Sequence, residues 1–224
     1  MYHREYSVRY NRGVTRSPAS RTQRRRYAPR RPREVRSAQI IDAAARLIAE
    51  HGWRGMTMER VAAEADVAKS VSYAIFESQA GLQRAVLLRA QEVTGDRVAR
   101  ALAAAREADG IAAAFHAGLG VYLESVAREP EISRLVLLPI EGAPDSVREA
   151  IRDGREQVRR RILAVVRTLL EREGAAELDA ELISHLVRDN AEHLARLLLE
   201  QPGTFTPRRL TDATAALARF ARHG

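Results

Sequence analysis

From Val35 onward the apolar residues recur at helical spacing. Ile40, Ile41, Ala44, Leu47 and Ile48 share one stripe, which predicts a first helix from Arg33 to His51. Gly52 is expected to end it, because the position after a helix often needs a left-handed backbone. Thr57 is a natural N-cap for a second, two-turn helix, with Glu59 in its first turn and Val61, Ala62 and Ala65 facing inward. Asp66 and Val67 then make a tight turn, and another short helix is expected from Lys69 to Phe76. Beyond Ser78 the pattern changes to long amphipathic helices, roughly Gln79 to Ala108, Ile111 to Arg128, Glu131 to Leu138, Pro144 to Glu173, Asp179 to Glu200 and Pro207 to Arg222. Asp109-Gly110, Glu129-Pro130, Pro139 through Pro144, Gly174 and Pro202-Gly203 separate them, and Gly95 is a point at which the first could divide. The prediction is an all-α chain in three parts: an arm over 1–32, a three-helix domain over 33–80 and a helical domain over 81–224.

Composition narrows the chemistry. Nearly half of the 224 residues are apolar, enough to bury a core, and aromatics are only 5%. There is no cysteine, which removes disulfides, thiolate metal sites and cysteine nucleophiles together. No apolar run approaches the ~20 residues of a membrane span, so the expectation is a cytoplasmic protein with no membrane partner. The net charge of +8 conceals an asymmetry. Residues 1–36 hold twelve arginines and two acids, a net +10, whereas residues 37–224 hold 25 basic and 27 acidic side chains, a net −2. An arm of arginines interleaved with Tyr2, Tyr6, Tyr10 and Tyr27 is suited to a polyanion and too poor in aliphatic residues to fold alone. Its alternatives are a solvated tail, a targeting segment or an extended gene start.

The stretch Met56 to Phe76 has the grammar of a helix-turn-helix: two short helices, a turn of three or four residues, and small residues where the helices approach. Two abutting helices in any helical protein could read the same way, so the wider window matters. Ile40-Ile41-Asp42-Ala43-Ala44, Leu47-Ile48, His51-Gly52-Trp53, Thr57-Met58 and Val61-Ala62 are followed by Val67-Ala68-Lys69-Ser70, Tyr73, Phe76, Ser78 and Leu82. In that order and spacing, Ala38 to Leu88 resembles the DNA-binding domain of the tetracycline-repressor family. The resemblance implies a homodimer whose third helix enters the major groove of a palindromic operator. It also implies C-terminal helices that hold a small-molecule effector pocket and a dimer-forming helix pair. The expected function is thus a sequence-specific transcriptional regulator, a repressor that an unidentified effector releases or tunes. No catalytic residue, cofactor or metal is expected.

Carried over by position, the resemblance places Lys69, Ser70, Val71, Tyr73 and Ala74 on or beside the DNA-facing side of the third helix, with Thr57 and Tyr73 on phosphates. Lys69 is the only lysine in the chain. The departures are Ala68 where a capping serine is common, so that Asp66 or Ser70 is expected to cap; Ser72 in place of an inward leucine; Ile75 in place of a polar or basic residue; and Gln79 in place of a frequent phosphate-binding lysine. Residues 37–83 carry four basic side chains against six acids, so DNA would repel this module at long range. The arm, through Arg30, Arg31 and Arg33, is expected to supply the missing phosphate contacts beside the recognition helix.

In the C-terminal part Phe115, Leu119, Tyr122, Leu135, Leu138 and Val165 are pocket candidates, with ordinary core as their alternative. Leu186, Asn190, Leu194, Leu197 and Leu217 are candidates for the dimer interface. Asn190 would set register there, bond an effector or bond within its own chain. His185, Asp189 and His193 recur every four residues, but three ligands stepping along one helix do not converge on one ion. Two rival readings remain: a helical enzyme or ligand carrier, and a non-specific nucleic-acid binder driven by the arm.

Deleting residues 1–32 is expected to weaken duplex DNA binding strongly and to flatten its dependence on salt. Filter or fluorescence binding at several salt concentrations measures both, and an unchanged affinity and slope would show the arm to be passenger sequence.

Overall fold

The computed structural model describes residues 32–138 and 142–220, and among them every regular element is a helix. The first three are α1 (Arg33–Gly55), α2 (Met58–Glu64) and α3 (Lys69–Phe76). They are followed by α4 (Gln79–Glu107), α5 (Ile111–Arg128), α6 (Pro130–Leu137), α7 (Asp145–Arg172), α8 (Ala180–Glu200) and α9 (Pro207–Phe220). The all-α architecture expected from the apolar periodicity is therefore present. Two details differ. Gly52 does take a left-handed φ of 70°, but the chain resumes a helical turn to Gly55 after that kink, burying Trp53. Gly95 does not divide α4, which is unbroken; glycine lowers helix propensity by only about 1 kcal/mol, and burial along the whole helix outweighs it.

A first core joins the N-terminal helices to later ones. Ile40, Ala44 and Ile48 of α1 pack with Val61 of α2 and with Leu82 and Val86 of α4, and Ile132 and Leu135 of α6 and Val147 of α7 close the same cluster. A second core is formed by Leu119, Leu123 and Val126 of α5, Ala195, Leu198 and Leu199 of α8, and Leu210 of α9. Between α7 and α8, Ile162, Val166 and Leu170 meet Ile183 and Val187. The same helix pair is fastened by Arg159, a buried arginine whose Nη2 donates to Glu156 Oε1 at 2.7 Å and whose Nη1 lies 3.4 Å from both Glu181 Oε1 and Ser184 Oγ. Hydrogen bonds from Arg159 and Arg160 hold the Glu156 carboxyl down at about 2.

The corner between α3 and α4 is tight. Ser78 Oγ accepts from Gly81 N at 3.1 Å as the N-cap of α4, and the space beside Gly81 is filled by the carbonyl of Phe76. A Cβ at position 81 would overlap that backbone oxygen, which cannot swing aside as a side-chain tip would. Gly81→Ala is therefore expected to cost roughly 1–3 kcal/mol, read as a lowered thermal midpoint. An unchanged midpoint would mean that the corner adjusts freely.

Candidate functional site

Local chemistry builds the helix-turn-helix as the spacing suggested. Thr57 Oγ1 caps α2 by accepting from Arg60 N at 3.3 Å, and Val61 and Ala62 turn inward. The turn closes when Val67 N donates to the Ala62 carbonyl at 2.9 Å, with Asp66 in the left-handed region at φ 49°. Neither Asp66 nor Ser70 caps α3. Its N-cap is Ala68, which has no side-chain acceptor, since Asp66 is spent on the turn and Ser70 already lies within the helix. The first turn is held only by backbone, from Val71 N to the Ala68 carbonyl.

α3 has two unlike faces. Ser72 is fully buried, and its hydroxyl finds no partner among the described residues, while Ile75 and Phe76 pack against the first core. Lys69, Ser70, Tyr73 and Ala74 point outward together and Val71 is half-buried at their edge; Tyr73 keeps 40% of its surface exposed. Thr57 is half-exposed at the start of α2. Arg33 is exposed at the start of α1, whereas Arg30 and Arg31 lie outside the described residues.

The electrostatics of this face were not legible in the sequence. Lys69 Nζ forms an ion pair with Glu59 Oε1 of α2 and stands 5.6 Å from the centre of the Tyr73 ring. The hydrogen bond between them lowers the Glu59 carboxyl below its ordinary range and raises the Lys69 ammonium above its own. Arg46 is likewise paired, its Nε donating to Glu64 Oε1 at 2.9 Å. Two of the four basic groups in this module are thus matched by acids before any polyanion arrives.

Behind the three-helix unit, α4, α5, α6, α7 and α8 surround a mainly apolar cavity of about 390 Å³. Phe115, Leu119, Tyr122 and Val165 line it. Leu135 and Leu138 do not; Leu135 belongs to the first core and Leu138 packs on the second. Successive helical residues project about 100° apart, so Val136 and Leu137 face the cavity in their place. Sequence reasoning also missed the stripe Ile151, Arg155, Val158 and Ile162 of α7. Its helical spacing with Val165 was a usable signal.

Of the interface candidates, Leu186 and Leu217 are 60% and 70% exposed in the single chain, and Asn190 is exposed and makes no hydrogen bond among the described residues. Leu194 and Leu197 are half-buried against the second core. Leu182 adds another exposed leucine one turn before Leu186.

Residues 40–86 match the family model described as bacterial regulatory proteins, tetR family. No curated protein matches the sequence. Among solved structures, the chain is similar to the fatty acid degradation regulator FadR from Bacillus halodurans, with TM-score 0.67 and 18% identity over 81% of this chain and 93% of that one. It is also similar to a TetR-like transcriptional regulator from Rhodococcus sp. RHA1, with TM-score 0.65 and 23% identity over 87% and 100%. A third is the transcriptional regulator FadR from Bacillus subtilis in complex with stearoyl-CoA, with TM-score 0.65 and 16% identity over 80% and 96%. At these identities the likeness is one of fold.

Because Lys69 is the sole lysine, its ammonium is a unique spectroscopic probe. Titrated by NMR in lysine-labelled protein, it is expected to ionise above the ordinary 10.5, and Glu59→Gln should bring it back toward that value. A titration indifferent to Glu59→Gln would show that the pair does not persist in solution.

Proposed function

We propose that this chain, whose residues 40–86 match the family model of bacterial regulatory proteins of the tetR family, works as a homodimer that binds a palindromic operator and represses transcription until a small-molecule effector changes its affinity. The observation that carries the reading is the outward face of α3, where Lys69, Ser70, Tyr73 and Ala74 stand together on a helix whose other side is packed into the core. Phosphate contacts from Thr57, Tyr73 and the arginine arm would fix register, while Ser70, Ala74 and the edge of Val71 would meet base edges. Lys69 joins them by exchanging Glu59 for a phosphate.

Dimerisation is supported by the exposed leucines of α8 and α9, Leu182, Leu186 and Leu217, which a lone chain leaves in water. Asn190 on the same exposed side would set the register of that contact. No helix among the described residues is long and apolar enough to cross a membrane, in keeping with a regulator that reaches DNA in the cytoplasm. The apolar cavity supports an effector with a long apolar portion, as does the stearoyl-CoA bound by the Bacillus subtilis relative.

The fold supplies a route from cavity to DNA. α4 places Leu82 and Val86 in the core of the three-helix unit and Thr94, Val98 and Ala101 on the cavity wall. α6 does the same over adjacent residues, with Leu135 in that core and Val136 and Leu137 on the wall. An effector that fits one packing of α4 and α6 better than another would shift the spacing of the paired recognition helices.

Selection of bound duplexes from a random pool should return palindromes whose half-sites lie about one helical turn apart, preferred over random DNA by at least ~10³ at fixed salt. Lys69→Gln should lower the salt slope by about one while leaving the selected sequence recognisable. Winners without symmetry would instead identify a non-specific binder driven by the arm.

A further inference from the structure

The cavity is electropositive. Its charged lining residues are Arg155, Arg161 and Arg188 against the single carboxylate of Glu192, and Arg188 is committed to Asp189 at 2.8 Å. Positive charge concentrates at the corner nearest α6. There Arg155 donates from Nη2 to the Val136 carbonyl at 3.1 Å, and its Nε lies 3.4 Å from Glu192 Oε2 without the alignment of a hydrogen bond. Glu192 is shared, because Arg196 Nη1 approaches the same oxygen at 3.5 Å.

Arg97 stands behind Tyr122, its guanidinium carbon 5.9 Å from the ring centre. It is 1% exposed and donates to Ser133 Oγ at 2.8 Å, and no carboxylate among the described residues pairs with it. Five buried side-chain polar atoms among the described residues lack a hydrogen-bond partner, and three of them, Thr94 Oγ1, Arg97 Nε and Arg155 Nε, belong to this corner. Arg155 and Arg196 thus share the one carboxylate of Glu192, and Arg97 is buried behind Tyr122 with no carboxylate at ion-pair distance among the described residues. The Arg97 charge is the buried one, and burying a charge is costly; the idle donors Arg97 Nε and Arg155 Nε add to that cost. Burial also pushes the Tyr122 hydroxyl up to about 12, so it stays a protonated donor at any working pH.

We infer that this corner is a carboxylate subsite and that the ligand is an amphipathic monocarboxylic acid. Its head would meet Arg155, Tyr122 and Thr94, with Arg97 supporting from behind, and its tail would lie along Val98, Leu119, Ile162 and Val165. A monoanion supplies the negative charge and the acceptor lone pairs that the corner lacks. A thioester carbonyl or an alcohol hydroxyl offers lone pairs but no charge at the head of the chain. The inference rests on the effector reading above, but its test measures ligand binding without DNA, so either can fail alone.

The test is calorimetric titration of the full-length protein with dodecanoate and dodecanoyl-CoA below their micellar concentrations and with dodecan-1-ol below its solubility limit. Dodecanoate is expected to bind at least about tenfold more tightly than dodecan-1-ol, the scale of one charge-assisted hydrogen bond. Arg155→Gln and Tyr122→Phe should each weaken dodecanoate while leaving dodecan-1-ol unchanged, which separates lost recognition from lost folding. Equal binding of acid and alcohol, parallel loss of both in the variants, preference for dodecanoyl-CoA that ignores Arg155→Gln, or no binding of any of the three would each overturn it.

Discussion

The structure turns on one helix that is buried at both ends in different company. α4 is 29 residues, about 43 Å at helical rise. It gives Leu82, Val86 and Ala90 to the core of the three-helix unit, and Val98, Ala101 and Ala105 to the cavity side. Protein interiors are packed as tightly as organic crystals, so a shift at one end of such a beam must be matched by repacking at the other. The buried hydrogen bond from Arg97 of α4 to Ser133 of α6 ties in the second element shared by both cores. A cavity wall and the support of a recognition helix are thereby parts of one packed body.

Charge is distributed with equal consequence. The helix-turn-helix carries more acids than bases, and two of its cations are already paired, Lys69 with Glu59 and Arg46 with Glu64. Such a surface attracts a polyanion poorly from a distance. The arginines of residues 1–36 are where the chain keeps its positive charge. Lys69 is accordingly half of a neutral pair rather than a free cation.

In the C-terminal part the imbalance is reversed. Arg155 and Arg196 share Glu192, and Arg97 lies behind Tyr122 with no carboxylate at ion-pair distance among the described residues, whereas Arg159, elsewhere on α7, is matched by Glu156 and Glu181. Where the role is to hold α7 to α8 the cation is fully partnered, and where the cavity begins the partners run short.

The sequence alone determined the helices and the helix-turn-helix. Period-3.6 burial, a threonine cap at Thr57 and a glycine at Gly52 act within a few residues and so are written locally. Lys69, Ser70, Tyr73 and Ala74 came instead from the family resemblance, position by position, and all four are exposed on α3. What only the tertiary structure decided was anything requiring two distant segments at once. The Glu59–Lys69 pair depends on how α2 crosses α3, and the absence of a side-chain cap on α3 depends on Asp66 entering the turn. The choice of Val136 over Leu135 for the cavity depends on the rotation of α6 between two cores, and the crowding of arginines from α4, α7 and α8 about Tyr122 depends on a meeting of helices up to a hundred residues apart. Apolar spacing specifies that a face is buried, but not against which neighbour, because hydrophobic burial is non-directional and the partner is fixed only when the helices pack.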